Sequence, residues 1–356
     1  MFDPLWGRQT LRRELILAVL CALLLTPTGV LGQDRQDEPL LDELTQMFQK
    51  PYLSFGALFQ AVGTFQAERT LPGGNGFSIG TMRLRIYGEL DMGFGYFVQT
   101  DFVFSRPILD AKMYYRLAPA IRLDAGVFKV PFSSEFLTYA GSIDFVNRSR
   151  AVIALAPGRQ IGLQAGGELG SGSWTYSVGL FNGNRFLEAN TNDNDDFLYA
   201  ARIGYLPPAL QGSGETDRFA VGLNAVYSKD SDVLLIGIAD SFAGERVLFG
   251  LDARWTRQRW LLAGELIGAS LDPTGGDSFE PFGWYLTGGY MLTPRSQALV
   301  RWDKFKPEVG EDPADLIILG YNLWPTSATE IQLNLGLPTR DSFDNSQLFI
   351  NFQIGF

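Results

Sequence analysis

The sequence predicts an all-β protein, a transmembrane antiparallel β-barrel of about 16 strands. Three observations predict it. Apolar and polar residues alternate over segments of about ten residues, short and long connections alternate along the chain, and charged side chains keep to one face of each segment. The 356 residues are 46% hydrophobic and 13% aromatic and include 40 glycines, a composition typical of many strands and turns.

The N-terminus reads as an export signal. Arg8, Arg12 and Arg13 precede an apolar run at residues 15 to 25, and a small-residue site follows at residues 30 to 32. An apolar run of this length is too short for a membrane-spanning helix, which needs roughly 20 residues. We therefore expect residues 1–32 to be a signal peptide cleaved after Gly32, which leaves a mature chain without cysteine.

Residues 33–51 are predicted to form a short periplasmic N-terminal segment. Apolar residues at helical spacing between positions 38 and 50 indicate either a short helix at the barrel mouth or a mobile arm. Residues 52–356 contain no linker or low-complexity tract, so we expect one barrel domain there.

Alternation is clear throughout the predicted barrel. Between residues 82 and 90, Leu84 and Ile86 fall on one face, whereas Arg83 and Arg85 fall on the other. The chain contains sixteen such segments, at 52–65, 77–90, 94–105, 109–118, 120–130, 159–169, 174–183, 196–206, 218–229, 246–257, 259–270, 281–293, 296–305, 314–325, 329–338 and 346–356.

The connections favour a membrane barrel with tight periplasmic turns and longer outer loops. The predicted long links are residues 131–158, 184–195, 230–245, 271–280 and 306–313. Two connections depart from this alternation, a short link at 105–109 and a long one at 207–217. An even number of strands places both barrel ends on the periplasmic side.

Charge and aromatic placement distinguish the barrel from a soluble β-sandwich, which also shows alternation. A basic residue facing lipid at mid-depth costs about 2 to 4 kcal/mol, so the charged face should be the lumen and the lumen should hold water. Lys129 and Lys304 lie on the lipid face, near strand ends where the cost is small. Aromatic residues of the apolar face lie toward strand ends, as an interfacial girdle requires: Trp174, Tyr176, Tyr205, Trp255, Trp260, Trp284 and Tyr290.

The composition argues against most other functions. Without histidine the chain has no Ser-His-Asp triad and no imidazole metal ligand, so we predict neither an enzyme nor a cofactor. A net charge of −10 makes nucleic acid an improbable partner. Asp193, Asp195 and Asp196 could bind calcium, but the glycine and distal glutamate of an EF-hand are missing, which favours a solvated acidic loop and no metal.

Several segments resemble the phosphate-selective porin O and P family of bacterial outer membranes. They are RLRIYGELDMGFGYFVQTDF (83–102), GVFKVPFSSEFLT (126–138), FVNRSRAV (145–152), GRQIGLQAGG (158–167), YSVGLFNG (176–183) and AARIGYLP (200–207). The resemblance implies an integral outer-membrane porin, usually a homotrimer surrounded by lipid and lipopolysaccharide. It also implies a long third outer loop, here residues 131–158, that folds into the pore.

An anion channel needs basic side chains along its pore, because guanidinium and ammonium donors replace water around an oxyanion. The candidate pore-lining and anion-binding residues are Arg83, Arg85, Lys112, Arg116, Arg122, Lys129, Arg148, Arg150, Arg202, Arg254 and Arg301, with Arg159 at the end of the long loop. Nine acidic residues share the lumen face: Glu89, Asp101, Asp110, Asp124, Glu168, Asp252, Glu265, Asp303 and Glu330. The sequence therefore favours a lumen with cross-strand ion pairs over a dedicated phosphate ladder, and it leaves a local basic wall open.

These features predict a porin for passive diffusion of small anions, phosphate or other oxyanions among them. A general, weakly selective porin and a plugged structural or adhesion barrel remain alternatives.

Overall fold

A computed structural model of the protein describes residues 49–66, 75–184, 191–207, 217–310, 313–340 and 345–356. The predicted signal peptide and nearly all of the predicted periplasmic segment lie outside these residues. The chain divides into two units, Met1–Lys50 and Pro51–Phe356. The described part of the first unit is the two-residue strand β1, Gln49–Lys50.

The second unit is a closed antiparallel barrel. Each strand from β2 to β17 pairs with its neighbour in the sequence, and β17 closes the barrel by pairing with β2 from Gln347↔Gln66 to Gly355↔Leu58. The strands are β2 Leu53–Gln66, β3 Gly76–Glu89, β4 Phe94–Asp101, β5 Ile108–Ala118, β6 Ile121–Lys129, β7 Arg159–Leu169, β8 Trp174–Phe181, β9 Leu198–Tyr205, β10 Arg218–Leu235, β11 Ala239–Arg257, β12 Trp260–Pro273, β13 Phe282–Thr293, β14 Ser296–Lys306, β15 Leu316–Thr326, β16 Thr329–Pro338 and β17 Gln347–Gly355.

The predicted 16-strand barrel is confirmed, and each predicted segment corresponds to one strand. Closure leaves no strand edge with unpaired backbone groups, which is the condition for a sheet to cross a bilayer. Within the described residues, no helix is long and apolar enough to cross a membrane.

One predicted connection is wrong. Residues 230–245 were expected to be a long outer link, but β10 and β11 continue through most of this range and a short turn joins them. Register shifts between Asp230 and Leu235 interrupt the period of two, so the alternation that marks a strand is lost in the sequence.

The two faces of the wall differ in chemistry. The outward face carries large exposed apolar side chains such as Leu163, which is 60% exposed, whereas its neighbour Gln164 faces inward. Aromatic pairs of the outward face include Trp174 with Tyr205 and Trp260 with Tyr290, with ring centroids 4.5 and 4.7 Å apart. So large an apolar surface is suited to lipid.

Residues 130–158, here called the long loop, connect β6 to β7. The loop contains helix α1, Ser134–Leu137, a 3-10 turn at Ala140–Ser142 and helix α2, Arg150–Leu155. Both helices are capped at the N-terminus by a serine hydroxyl, Ser133 accepting from the Phe136 amide and Ser149 from the Val152 amide.

Candidate functional site: the barrel lumen

Inward-facing amide side chains of β15 and β16 hold the long loop. Asn322 donates to the Asp144 carbonyl at 2.9 Å, and Gln332 donates to the Ile143 carbonyl at 3.0 Å. Asn334 accepts from the Val146 amide at 2.7 Å. These bonds satisfy loop backbone groups that lack partners within the loop, so the far wall fixes the path of the loop.

Two ion pairs anchor the ends of this path. Arg301 of β14 is 1% exposed, and its Nη2 donates to Glu135 Oε1 of α1 at 2.5 Å. Arg150 at the start of α2 donates its Nε and its backbone amide to the Asp303 carboxylate at 2.9 and 3.0 Å. Because Arg301 and Glu135 are both buried, the loss of one partner would leave the other uncompensated.

An apolar core fills part of the space inside the wall. Helix α2 buries Ala151, Val152, Ala154 and Leu155. They cluster with inward-facing apolar residues of β8 to β14, among them Phe181, Leu198, Val226, Leu248, Ile267 and Phe305. The helix lies so close to β13 that a Cβ on Gly283 would lie 2.6 Å from the Ala151 Cβ. The expectation of a lumen that holds water throughout is therefore wrong on this side of the barrel.

Between β3 to β9 and the long loop lies a cavity of about 650 Å³, here called the basic cavity. Its charged lining comprises seven basic residues and one acidic residue, Asp110, among the residues that the structure describes. The basic residues are Arg83, Arg85, Lys112, Arg122, Lys129, Arg159 and Arg202. Strands β3, β5, β6, β7 and β9 contribute them, so neighbouring strands of the closed sheet combine residues that lie far apart in the sequence.

Carboxylates lie behind most of these cations. Five ion pairs join them over 2.5 to 3.1 Å: Arg83 with Asp101, Lys112 and Arg122 with Asp124, Arg159 with Asp110, and Arg202 with Asp252. The cationic side chains are 13 to 31% exposed, whereas the carboxylates are 8% exposed or less. The cations therefore reach the cavity surface more than the carboxylates do. The electrostatic potential at this surface is more positive than the net charge of the paired groups would give.

Strand parity placed Lys129 on the lipid face, whereas its position at the start of the long loop made it a candidate pore residue. It lines the cavity, and its amine donates to the carbonyls of Phe136, Leu137 and Thr138, at distances from 2.5 to 3.3 Å. Arg148 donates to the carbonyls of Glu135 and Thr138. The two cations satisfy carbonyls at the end of α1, as basic side chains commonly do at helix C-termini. Burial lowers the pKa of Arg148 below its ordinary value.

Five predicted pore residues do not line the basic cavity. Arg148, Arg150 and Arg301 hold the long loop instead. Arg116 pairs with Glu89 at 3.3 Å near a strand end, and Arg254 forms two hydrogen bonds with Asp144 of the loop. Sequence parity places an arginine on a face but does not show which acid in another segment will pair with it.

Sequence reasoning missed the acidic partner in the loop and the aromatic lining. Glu135 lies outside any strand, so alternation gave no signal for it. The rings of Tyr87, Phe97, Tyr114 and Tyr139 line the basic cavity beside the cations. The strand parity of Tyr87, Phe97 and Tyr114 indicates an inward direction, whereas Tyr139 lies in the long loop and has no strand parity.

The acidic loop shows no metal arrangement. In the described ranges, no group of three or more acidic, cysteine or histidine residues could hold an ion. Asn192 instead accepts from the backbone amides of Asn194 and Asp195, and Ser231 donates to Asp193.

The closed barrel, its apolar exterior and its charged lumen define an outer-membrane porin, an integral β-barrel of the bacterial outer membrane. The family model for phosphate-selective porin O and P matches residues 61–336, and the chain belongs to this family. No curated protein sequence matches the chain.

Solved porins share the fold. The anion-selective porin from Comamonas acidovorans has 13% identity and a TM-score of 0.61, with 85% of this chain and 99% of that chain covered. The trimer form of OmpT from Vibrio cholerae has 12% identity and a TM-score of 0.59, with 85% of this chain and 99% of that chain covered. The channel DcaP of Acinetobacter baumannii has 11% identity and a TM-score of 0.59, with 87% and 99% covered.

Proposed function

We propose that the porin passes small anions in preference to cations, through a water-filled path along the basic cavity. The observation that carries this is the seven-to-one ratio of basic to acidic side chains in the cavity lining. The long loop lines the cavity with Pro131, Leu137 and Tyr139, and the apolar core fills space along β8 to β14, so loop and core narrow the path and confine it to the basic wall. Phosphate and other oxyanions belong to the solutes that such a wall attracts.

The carboxylates behind the cations make the preference weak rather than absolute. A paired cation attracts an entering anion less than a free one, so we expect general diffusion with an anion bias. The selectivity named for the Comamonas acidovorans porin and the trimer form of Vibrio cholerae OmpT support anion passage and a homotrimer for this chain.

The proposal is tested by the reversal potential in a potassium chloride gradient across a planar bilayer. The wild-type protein should give stepwise conductance and a reversal potential of the sign expected for chloride preference. Arg85→Gln should lower the chloride-to-potassium permeability ratio about fivefold, because a unit charge contributes about 1 kcal/mol at 4 Å in water. Arg85 belongs to none of the five ion pairs of the cavity, and its Nη2 donates to the backbone oxygen of Phe356 at 2.9 Å, so the change leaves the paired Asp residues with their partners.

Arg295→Gln is the matched control, because Arg295 is exposed in the turn between β13 and β14 and does not line the cavity. Its permeability ratio should equal that of the wild type. Cation preference in the wild-type protein would contradict the proposal.

Asp124→Asn should change selectivity in the opposite direction. Asp124 is buried and pairs with both Lys112 and Arg122, at 2.8 and 2.6 Å. Its neutralisation frees two cations that face the cavity, so we expect the chloride-to-potassium permeability ratio to rise. An unchanged or lower ratio would show that these cations do not face the conducting path.

A further inference from the structure

Aromatic rings and cations share the basic cavity. Tyr87 of β3 and Phe97 of β4 are directly paired across the two strands, with ring centroids 6.3 Å apart and planes tilted by 37°. Both line the cavity. Tyr114 and Tyr139 also line it, and each lies against a guanidinium, Arg122 at 4.0 Å and Arg85 at 4.3 Å from the ring centroid. The lining therefore combines ring faces with positive charge.

A small inorganic anion gains little binding energy from contact with such rings. Phosphate is strongly hydrated and gains from hydrogen-bond donors, whereas the face of an aromatic ring offers it none, and Phe97 has no donor at all. Five of the seven cations are already shared with carboxylates, as in the pairs Arg83 with Asp101 and Arg202 with Asp252. A cavity built only for a dianion would present free donors and no aromatic surface.

An organic anion with a ring can use both parts of the lining. Its carboxylate would contact the cations, while its ring would bury apolar surface against Tyr87 and Phe97 in the offset or tilted arrangements that aromatic pairs prefer. The volume of about 650 Å³ lies within the range of sites for small organic molecules. Charge and shape thus favour the same class of solute.

We propose that the basic cavity is a binding site for aromatic carboxylates, which it selects over inorganic phosphate and small aliphatic acids. This inference rests on the proposed anion conduction and specifies the solute class for the same cavity.

The test uses block of chloride current by benzoate, cyclohexanecarboxylate, acetate and inorganic phosphate, each added to wild-type channels in a planar bilayer. We expect benzoate to halve the current at about a three- to tenfold lower concentration than acetate or phosphate, in line with the strength of a single aromatic pair. Benzoate should also act at a lower concentration than cyclohexanecarboxylate, which matches it in size but has no aromatic ring.

Two double variants test whether the rings of Tyr87 and Phe97 cause the preference for benzoate. Tyr87→Leu with Phe97→Leu should bring the half-blocking concentrations of benzoate and acetate together. The matched control is Tyr199→Leu with Tyr227→Leu, a ring pair of similar geometry, 6.4 Å and 32°, which lies on the outward face and does not line the cavity. This control should keep the wild-type benzoate preference.

Equal block by benzoate and acetate in a chloride-selective wild-type channel would overturn this inference and leave the proposed function standing. Loss of the preference in the Tyr199 and Tyr227 control as well would also overturn it. Cation selectivity in potassium chloride alone would overturn both proposals, so the two failures are distinguishable. The comparison on wild-type channels decides the question even where a variant does not fold.

Discussion

Replacement of Arg301 by methionine should release the long loop and raise the single-channel conductance. The Arg301 guanidinium is 1% exposed and bonds to Glu135 and Thr287, at 2.5 and 3.1 Å. It also lies 4.3 Å from the ring centroid of Phe145. Loss of one partner of a buried ion pair costs about 3 to 5 kcal/mol, which would shift the balance between bound and released loop by more than a hundredfold.

The double variant Arg301→Met with Glu135→Leu separates charge from packing. It removes both charges, so no uncompensated carboxylate is left buried, and much of the lost stability should return. We expect its conductance and thermal unfolding temperature to lie closer to the wild type than those of Arg301→Met.

Arg257→Met is the control, because Arg257 pairs with Asp217 at 3.5 Å but remains 62% exposed. Exposed pairs contribute little, so its conductance and unfolding temperature should match the wild type. Unchanged conductance in Arg301→Met, with normal barrel folding, would show that the loop does not depend on this anchor.

Leu163→Arg should impair folding into a bilayer. Leu163 lies near the middle of β7, pairs with Ala125 and Leu180, and is 60% exposed on the outward face. A basic residue on the lipid face at mid-depth costs about 2 to 4 kcal/mol. The measurement is the free energy of unfolding from lipid vesicles in urea, which should fall by about this amount.

The neighbouring variant Gln164→Arg provides the control on the other face of the same strand. Gln164 lines the basic cavity, so an added arginine contacts the lumen and should leave the free energy of unfolding nearly unchanged. Equal losses for the two variants would mean that β7 has no lipid-facing side.

The alternation of apolar and polar residues predicts the strands of this barrel well, because each strand by itself places one face toward lipid and the other toward the lumen. The segments predicted at 159–169 and 329–338 have the same bounds as β7 and β16. Prediction fails at 230–245, where bulges shift the register and residues such as Val233 and Phe242 pack into the apolar core rather than forming a loop.

The site was only partly predictable, because its residues meet through strand neighbours and loop contacts. Parity identified Arg83, Lys112 and Arg202 as lumen residues, and all three line the basic cavity. It could not show that Arg150 and Arg301 would be used by the long loop, since their partners lie about 150 residues away or more.

The sequence by itself determined the strand number, the lipid-facing surface and the family, because these follow from local periodicity and short motifs. Only the tertiary structure decided how the charges are arranged. Nearly balanced basic and acidic residues on the lumen face indicate no net field, until closure of the sheet places carboxylates behind the cations of the basic cavity. Docking of α2 then fills the lumen along β8 to β14 with an apolar core, because its buried side chains find inward-facing apolar partners there.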